Sequence, residues 1–210
     1  MADLRPRAHE GEHMTAPLTA TRPGAIRVAG AAALLGTLAW SLGQLDRNNV
    51  TIDDGQSAWD LGTGGVFMLT VIGLHWAVLA TRATGPRKGR IIPIGLMGTA
   101  FLAAIVNVAS MPYPTYGDLP GWLMVIDPAW PLTMLGMAVE GIAIARVGKW
   151  TGPLRWLPLA AGVWLPVLIG LKFGVGDGVA LTYLSALWLL GTYGFIGALL
   201  LTRPKAAIGW

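Results

Sequence analysis

Residues 127–146 of this chain read DPAWPLTMLGMAVEGIAIAR, an apolar run with an acidic, proline-marked start and a basic end. Glu140 lies inside this run and is the only acidic residue placed well within any apolar segment of the sequence. A carboxylate in such a segment is costly unless it is paired, protonated or in contact with water, so it marks a candidate functional position. The run therefore indicates a membrane helix with one buried ionisable group.

Long apolar blocks separated by short polar ones run through the whole chain. Of the 210 residues, 54% are hydrophobic and only 12% are charged, whereas a soluble domain carries roughly 25% charged residues. Each block lies near the ~20 residues that a helix needs to cross a bilayer. The six blocks cover residues 26–45, 61–81, 91–111, 128–145, 154–171 and 179–201. The pattern predicts an all-α, polytopic membrane protein, built as a bundle of six transmembrane helices.

The limits of this bundle follow from the same pattern. We predict a single transmembrane domain over residues 24–203, a disordered cytoplasmic tail at residues 1–23 and a short cytoplasmic tail at residues 204–210. The fifth block is the shortest and contains Pro158 and Pro166, so we expect a kink there. Three spans on each side of the central loop would allow an inverted repeat, although the two halves show no matching register.

Basic residues are concentrated on alternate loops. All but two of the 15 Lys and Arg residues lie in the termini or in the loops after the second and fourth blocks, the exceptions being Arg47 and Lys172. Because basic loops stay on the cytoplasmic side, both termini are predicted to be cytoplasmic, which requires an even number of spans. The composition, rich in Ala, Gly and Pro, is typical of bacteria. We therefore expect a multi-pass protein of a bacterial cell membrane.

The charges and motifs limit the function classes. The net charge of +4 comes from basic residues beside the apolar blocks, so it indicates topology rather than nucleic-acid binding. The sequence has no cysteine, which excludes disulfides and thiolate metal sites. It also has no P-loop, HExxH, GxSxG or aspartate-rich Mg²⁺ motif, and we expect no enzyme activity, cofactor or metal. The expected partners are the lipid bilayer and either other membrane subunits or a second copy of the chain.

His75 is the only histidine within the apolar blocks, and it lies at nearly the same depth as Glu140. Arg82 follows His75 by seven residues and Arg146 follows Glu140 by six. These spacings place the two side chains about 10.5 Å and about 9 Å from the same membrane face. A hydrogen bond between them would offset the cost of burying both. We predict this pair, with a structural clasp as the preferred interpretation and a proton- or cation-binding site as the alternative.

Four other polar residues are weaker candidates. Tyr193 and Thr192 lie near mid-membrane and could extend a polar track from the pair, although helix packing tolerates both types. Asn107 and Asp127 lie near the opposite, acidic face, where they could line a vestibule that attracts cations. Asp127 directly precedes Pro128, so capping of a helix start is the preferred interpretation of that carboxylate.

Two functions are consistent with these features. The scarcity of polar groups in the apolar blocks favours a non-enzymatic integral membrane protein: a membrane subunit, a sensor or an assembly factor. The alternative is a small proton- or cation-coupled transporter that uses the Glu140–His75 pair. An intramembrane enzyme acting on lipid or quinone is the least supported. A water-accessible cavity at Glu140 would favour the transporter, and dry packing would favour the clasp.

Overall fold

The computed structural model describes residues 22–47, 57–175 and 178–208, and these residues form helices joined by turns, with no strand among them. Of the segment predicted to be a disordered tail, residues 1–23, only the last two residues lie within the described ranges. A π-helical turn, Leu190–Gly194, joins two of the helices. The α-helices are α1 (Pro23–Arg47), α2 (Ala58–Thr81), α3 (Ile91–Ser110), α4 (Gly121–Ile126), α5 (Ala129–Val147), α6 (Leu157–Gly162), α7 (Trp164–Val175), α8 (Val179–Leu189), α9 (Phe195–Thr202) and α10 (Lys205–Ile208).

Among the described residues, five stretches of helix are long and apolar enough to cross a membrane. They coincide with the first, second, third, fourth and sixth apolar blocks, as expected of an all-helical membrane protein with several spans. The fifth block, residues 154–171, forms two short helices instead, and the longer of them contributes the apolar stretch Trp164–Gly174, which extends past the end of the block. The five long stretches are Pro23–Leu45, Ala58–Thr81, Arg87–Ser110, Gly121–Val147 and Val179–Thr202.

The interruption between α6 and α7 has a local cause in the sequence. α6 has Pro158 in its first turn and ends at Gly162, and the next residue, Val163, has a φ of −83° and a ψ of 0°. Pro166 follows closely, and it has no N–H to donate to the carbonyl of Gly162 and a ring that crowds that carbonyl. The kink expected from the two prolines is therefore seen as an interruption of the helix at Val163, between α6 and α7.

Glycines allow α1 to pack closely against both α2 and α9. A side chain at Gly36 would collide with Thr70 of α2. A Cβ at Gly30 would lie 2.7 Å from the carbonyl oxygen of Gly197 in α9. Close backbone approach of this kind is a main source of helix association in membranes, because lipid is as apolar as the side chains it would replace.

Gly141 and Gly162 bring α5 and α6 into backbone contact. A methyl group at Gly141 would overlap the backbone of Leu159, and one at Gly162 would overlap the backbone of Ala138. The later residue of α6 contacts the earlier residue of α5, so the two helices run antiparallel. They also cover the side of α5 next to Glu140.

An aromatic cluster fills the core between four segments of the bundle. The indole rings of Trp40, Trp130 and Trp164 contact one another with centroids 5.7 to 6.0 Å apart and edge-to-face geometry. Phe67 stacks on Trp40 at 4.7 Å. Such ring pairs are worth about 0.5–1.5 kcal/mol beyond the area that they bury. The cluster therefore holds α1, α2, α5 and α7 together.

Hydrogen bonds join the loops that carry the basic residues at one end of the bundle. Nε1 of Trp150, after α5, donates to Oγ1 of Thr81 at the end of α2 with a distance of 3.0 Å. The backbone N–H of Thr151 donates to the carbonyl of Ala206 in α10 at 3.1 Å. The segment predicted to be a short tail, residues 204–210, thus forms a helix in its described part and packs on the bundle.

Candidate functional site

α2 and α5 each present one ionisable side chain to the interior of the bundle. His75 shares a buried face of α2 with Val71. Glu140 shares a buried face of α5 with Thr133 and Met137. In both helices these residues are three, four or seven positions apart, which places them on one face. The helical repeat and the apolar surroundings therefore turn both groups inward, away from lipid.

The structure brings His75 and Glu140 together. Nδ1 of His75 lies 2.8 Å from Oε2 of Glu140, and both side chains are 0% exposed. Nε2 of His75 and Oε1 of Glu140 are also buried, and neither has a hydrogen-bond partner among the described residues. The pairing expected from the depth of the two residues is thus present, and both side chains are enclosed by the bundle.

The pair buries no net charge when it holds one proton in addition to the N–H of the neutral imidazole. That proton can lie on the imidazole, which makes an ion pair, or on the carboxyl group, which makes a neutral hydrogen bond. Loss or gain of a proton would leave a net charge in an interior of low dielectric, and such a charge is costly. The burial of both groups is therefore compatible with a pair that carries no net charge.

The hydrogen bond of the pair connects two helices that are not close neighbours. α3 packs along both α2 and α5, whereas the backbones of α2 and α5 approach each other at few points. The hydroxyl groups of Thr99 and Thr133, 2.8 Å apart, join α3 to α5. The His75–Glu140 bond therefore ties together two helices that otherwise contact each other mainly through α3.

The π-helical turn places Tyr193 near the pair. The buried ring of Tyr193 packs edge-to-face on Phe67 with centroids 5.2 Å apart. Its hydroxyl lies 3.5 Å from Sδ of Met134, and Glu140 is within electrostatic range of it. Turns of this type occur often at functional sites because they redirect one side chain within a helix. Tyr193 is thus the one weaker candidate that the structure brings towards the pair.

Thr192 and Asn107 have other surroundings. Oγ1 of Thr192 donates to the carbonyl of Trp188, one turn earlier, at 2.7 Å. Nδ2 of Asn107 is buried and has no partner among the described residues. A Cβ added to Gly64 would lie 3.5 Å from Nδ2 of Asn107 and 3.2 Å from Nε1 of Trp40. Asn107 therefore faces α2 and α1 at the end of α3 remote from the basic loops.

Asp127 lies between α4 and α5 and contacts a loop residue. Its Oδ2 accepts a hydrogen bond of 3.1 Å from the hydroxyl of Tyr116. Pro128 stands at the start of α5, and no side chain caps that helix. The capping interpretation of Asp127 is therefore wrong, because the carboxylate anchors the loop before α4. α4 packs on the Val106 side of α3, so the structure gives Asp127 and Asn107 separate surroundings rather than one vestibule.

The contact with Asp127 raises the pKa of Tyr116 above its usual value of about 10, first through the hydrogen bond and then through the negative charge of the carboxylate. A pKa raised in the folded state means that the contact stabilises the fold below pH ~10 and that this stability is lost as the pH rises through the raised pKa.

We expect Asp127→Asn to move the ionisation of one tyrosine to lower pH, measured by phenolate absorbance in an alkaline titration. Asp118→Asn, whose carboxylate accepts from Thr115 instead, is the matched control. Identical curves for Asp127→Asn and the unmodified protein would contradict the assignment.

The polar contact between Trp40 and Asp60 is an example of one that has no signal in the sequence. Nε1 of Trp40 on α1 donates to Oδ1 of Asp60 on α2 at 3.1 Å. The two residues are on different helices, so no spacing rule connects them. Within the described ranges, no group of three or more His, Asp or Glu side chains is placed to hold a metal ion.

Comparison of the chain with protein families, curated proteins and solved structures finds no match. The function of the site is therefore inferred from its geometry.

Proposed function

We propose that the chain is a non-enzymatic, multi-pass integral membrane protein, a membrane subunit, sensor or assembly factor, and that the His75–Glu140 pair is a structural clasp within it. The observation that carries this proposal is the burial of the pair: both side chains are 0% exposed and share a hydrogen bond of 2.8 Å. A group that exchanges protons or cations needs a path for water or ions. A clasp needs none, so the burial favours the clasp.

A clasp suits the way in which the other helices of this bundle are joined. Helices in lipid associate through close packing and interhelical hydrogen bonds, since burial against another helix gains little over burial in lipid. α1 uses glycine contacts with α2 and α9, and α3 shares a threonine contact with α5. The His75–Glu140 bond adds a directional contact between α2 and α5. A hydrogen bond of this kind fixes the rotation of both helices about their axes.

We further propose six spans, with α6 and α7 together forming the fifth and with both termini on the cytoplasmic side. Nε of Arg155 donates to the carbonyl of Ala145 at 2.9 Å, so α6 starts at the basic end of the bundle. α7 then contacts α8, which begins the last long helical stretch. The basic residues determine orientation in such proteins. The proposed location is the cell membrane of a bacterium, with lipid and either other membrane subunits or a second copy as partners.

A double-mutant cycle on the pair tests the clasp. Glu140→Leu leaves the imidazole of His75 buried without a partner and should lower the free energy of unfolding by about 1–3 kcal/mol. His75→Leu should cost a similar amount for the same reason. The double variant, in which both polar groups are gone, should lose clearly less than the sum of the two. Denaturant unfolding of the protein in detergent micelles provides all four values.

Two further variants control this cycle. Glu140→Gln keeps a side chain that can hydrogen-bond to His75 and should remain close in stability to the unmodified protein. Thr99→Val changes another contact between spans, so its effect should simply add to that of Glu140→Leu. If the stability losses from His75→Leu and Glu140→Leu simply add in the double variant, the two residues are not coupled and the clasp is refuted.

A small proton- or cation-coupled transporter is the second candidate, and one observation favours it. The π-helical turn that carries Tyr193 packs against α6, beside the break between α6 and α7, and Tyr193 lies within electrostatic range of Glu140. Interrupted helices of this kind line the binding sites of many transporters. In proteoliposomes, a transporter would take up protons along a pH gradient and would lose this uptake in Glu140→Gln. The clasp predicts no such uptake by either protein.

A further inference from the structure

The loop between α2 and α3, residues 82–90, has a compact conformation and a basic outer surface. Ala83 and Thr84 are buried beneath it, and Oγ1 of Thr84 donates to the carbonyl of Gly89 at 2.8 Å. A side chain at Gly89 would collide with the backbone of Thr84, so the loop closes tightly. A topology signal requires positive charge but no fixed structure. Four exposed residues of the loop are basic: Arg82, Arg87, Lys88 and Arg90.

Two of these arginines occupy backbone conformations that favour glycine. The φ angle is +54° at Arg82 and +36° at Arg87, and no other non-glycine residue of the described chain has a positive φ. Arg82 is also the C-cap of α2, a position that usually holds Gly or Asn. A residue with a Cβ is strained there. Arginine at both strained positions therefore indicates a use for the guanidinium groups themselves.

Contacts join this loop to the other basic segments at the same end of the bundle. A Cβ at Gly85 would lie 3.5 Å from the side chain of Val147, and Trp150 is hydrogen-bonded to Thr81. No acidic residue occurs among the described residues of these segments. We call the combined surface the basic face, and its basic residues are Arg82, Arg87, Lys88, Arg90, Arg146, Lys149, Arg155, Arg203 and Lys205.

An exposed tryptophan lies at the edge of the basic face. Trp156 is 57% exposed, and the guanidinium of Arg155 lies 5.2 Å from the centre of its ring. Tryptophan is enriched where the hydrocarbon of a bilayer meets the headgroups. This arrangement puts the basic face at the level of lipid phosphates.

We propose that the basic face binds the phosphate groups of anionic lipids, with Arg82 and Arg87 as the central contacts. Guanidinium groups bind phosphate through paired hydrogen bonds. Clusters of basic residues directly beyond a membrane helix attract anionic lipids. The loop follows α2 and precedes α3 without a spacer, so the phosphates within its reach are those of the surrounding leaflet. The basic face is separate from the His75–Glu140 clasp, and either assignment can hold without the other.

Thermal unfolding in two kinds of vesicle tests this proposal. We expect a higher midpoint in vesicles that contain phosphatidylglycerol than in vesicles of phosphatidylcholine alone, and the difference should shrink as salt is added. The double variant Arg82→Gly, Arg87→Gly should lose most of this difference. In phosphatidylcholine it should be at least as stable as the unmodified protein, because glycine relieves the strain at both positions. Retention of phosphatidylglycerol, measured by mass spectrometry of the intact protein, should fall about tenfold or more.

Lys172→Gln is the matched control, because it removes a basic residue that is not part of the basic face, and it should keep the full midpoint difference. If the glycine variant does not fold, the test is the retention of phosphatidylglycerol by the unmodified protein as salt is added. Retention that does not fall with salt would overturn the proposal. An unchanged midpoint difference in the folded glycine variant would overturn it as well. Inorganic phosphate that reproduces the shift in phosphatidylcholine vesicles would show a site for the free anion and not for lipid.

Discussion

Replacing Trp150 with alanine is expected to lower the free energy of unfolding by about 3–5 kcal/mol. Trp150 is 0% exposed and is the largest fully buried side chain in the part of the chain that the structure describes. Its truncation leaves a cavity whose lining loses dispersion contacts that nothing replaces. The change also removes the hydrogen bond to Thr81 that joins the loop after α5 to the end of α2. Denaturant unfolding in detergent micelles measures the loss.

Two single changes separate packing from hydrogen bonding at Trp150. Thr81→Val removes the acceptor and leaves the indole N–H buried without a partner, at a cost of about 1–3 kcal/mol. The loss from Trp150→Ala should exceed this value because it includes the cavity. Trp156→Ala is the control on an exposed tryptophan and should stay within about 0.5 kcal/mol of the unmodified protein in micelles. Equal losses in Trp150→Ala and Thr81→Val would contradict the packing contribution.

Alanine at Gly141 is expected to destabilise the protein by about 2–3 kcal/mol. Alanine inside a helix normally raises the stability by up to about 1 kcal/mol relative to glycine. The change in stability expected at Gly141 therefore has the opposite sign. The reason is the backbone contact with α6: a methyl group on Gly141 would overlap the backbone of Leu159, which cannot move aside as a flexible side chain could. Gly162→Ala, on the other side of the same contact, should act in the same direction.

Gly73→Ala provides the matched comparison for this change. Gly73 also lies within a long helix, α2, and a Cβ there would meet no atom within 4 Å. Alanine at that position should therefore raise the stability slightly, measured in the same unfolding experiment. A gain in stability in Gly141→Ala as well would mean that α5 and α6 do not pack through their backbones.

The sequence was most informative where a property depends on position along one helix. Apolar length indicated the five long helical stretches, and Pro158 and Pro166 indicated the weak point in the remaining block. The depth of His75 and Glu140 followed from counting residues to the nearest basic anchor, because an α-helix rises by a constant ~1.5 Å per residue. Two ionisable groups at equal depth in an apolar bundle have a strong reason to meet.

The sequence was least informative where a property depends on the surroundings of a residue. The motif of an aspartate before a proline indicated a helix cap at Asp127, yet the carboxylate accepts a hydrogen bond from Tyr116 in the preceding loop. Local rules compare a residue only with its near neighbours in the chain. They do not include a competing donor that the fold brings from another segment.

The sequence by itself determined the helical class of this protein, the grouping of its basic loops and the spacing of His75 and Glu140 from the nearest basic residues, because apolar length, charge order and helix rise are local quantities. Only the tertiary structure decided that α3 packs on both α2 and α5, that the His75–Glu140 pair is buried, and that two strained arginines stand on a compact basic loop. These features depend on which helix faces pack together and on how closely glycines allow them to approach. This packing depends on all the helices together, so it cannot be predicted from any single segment.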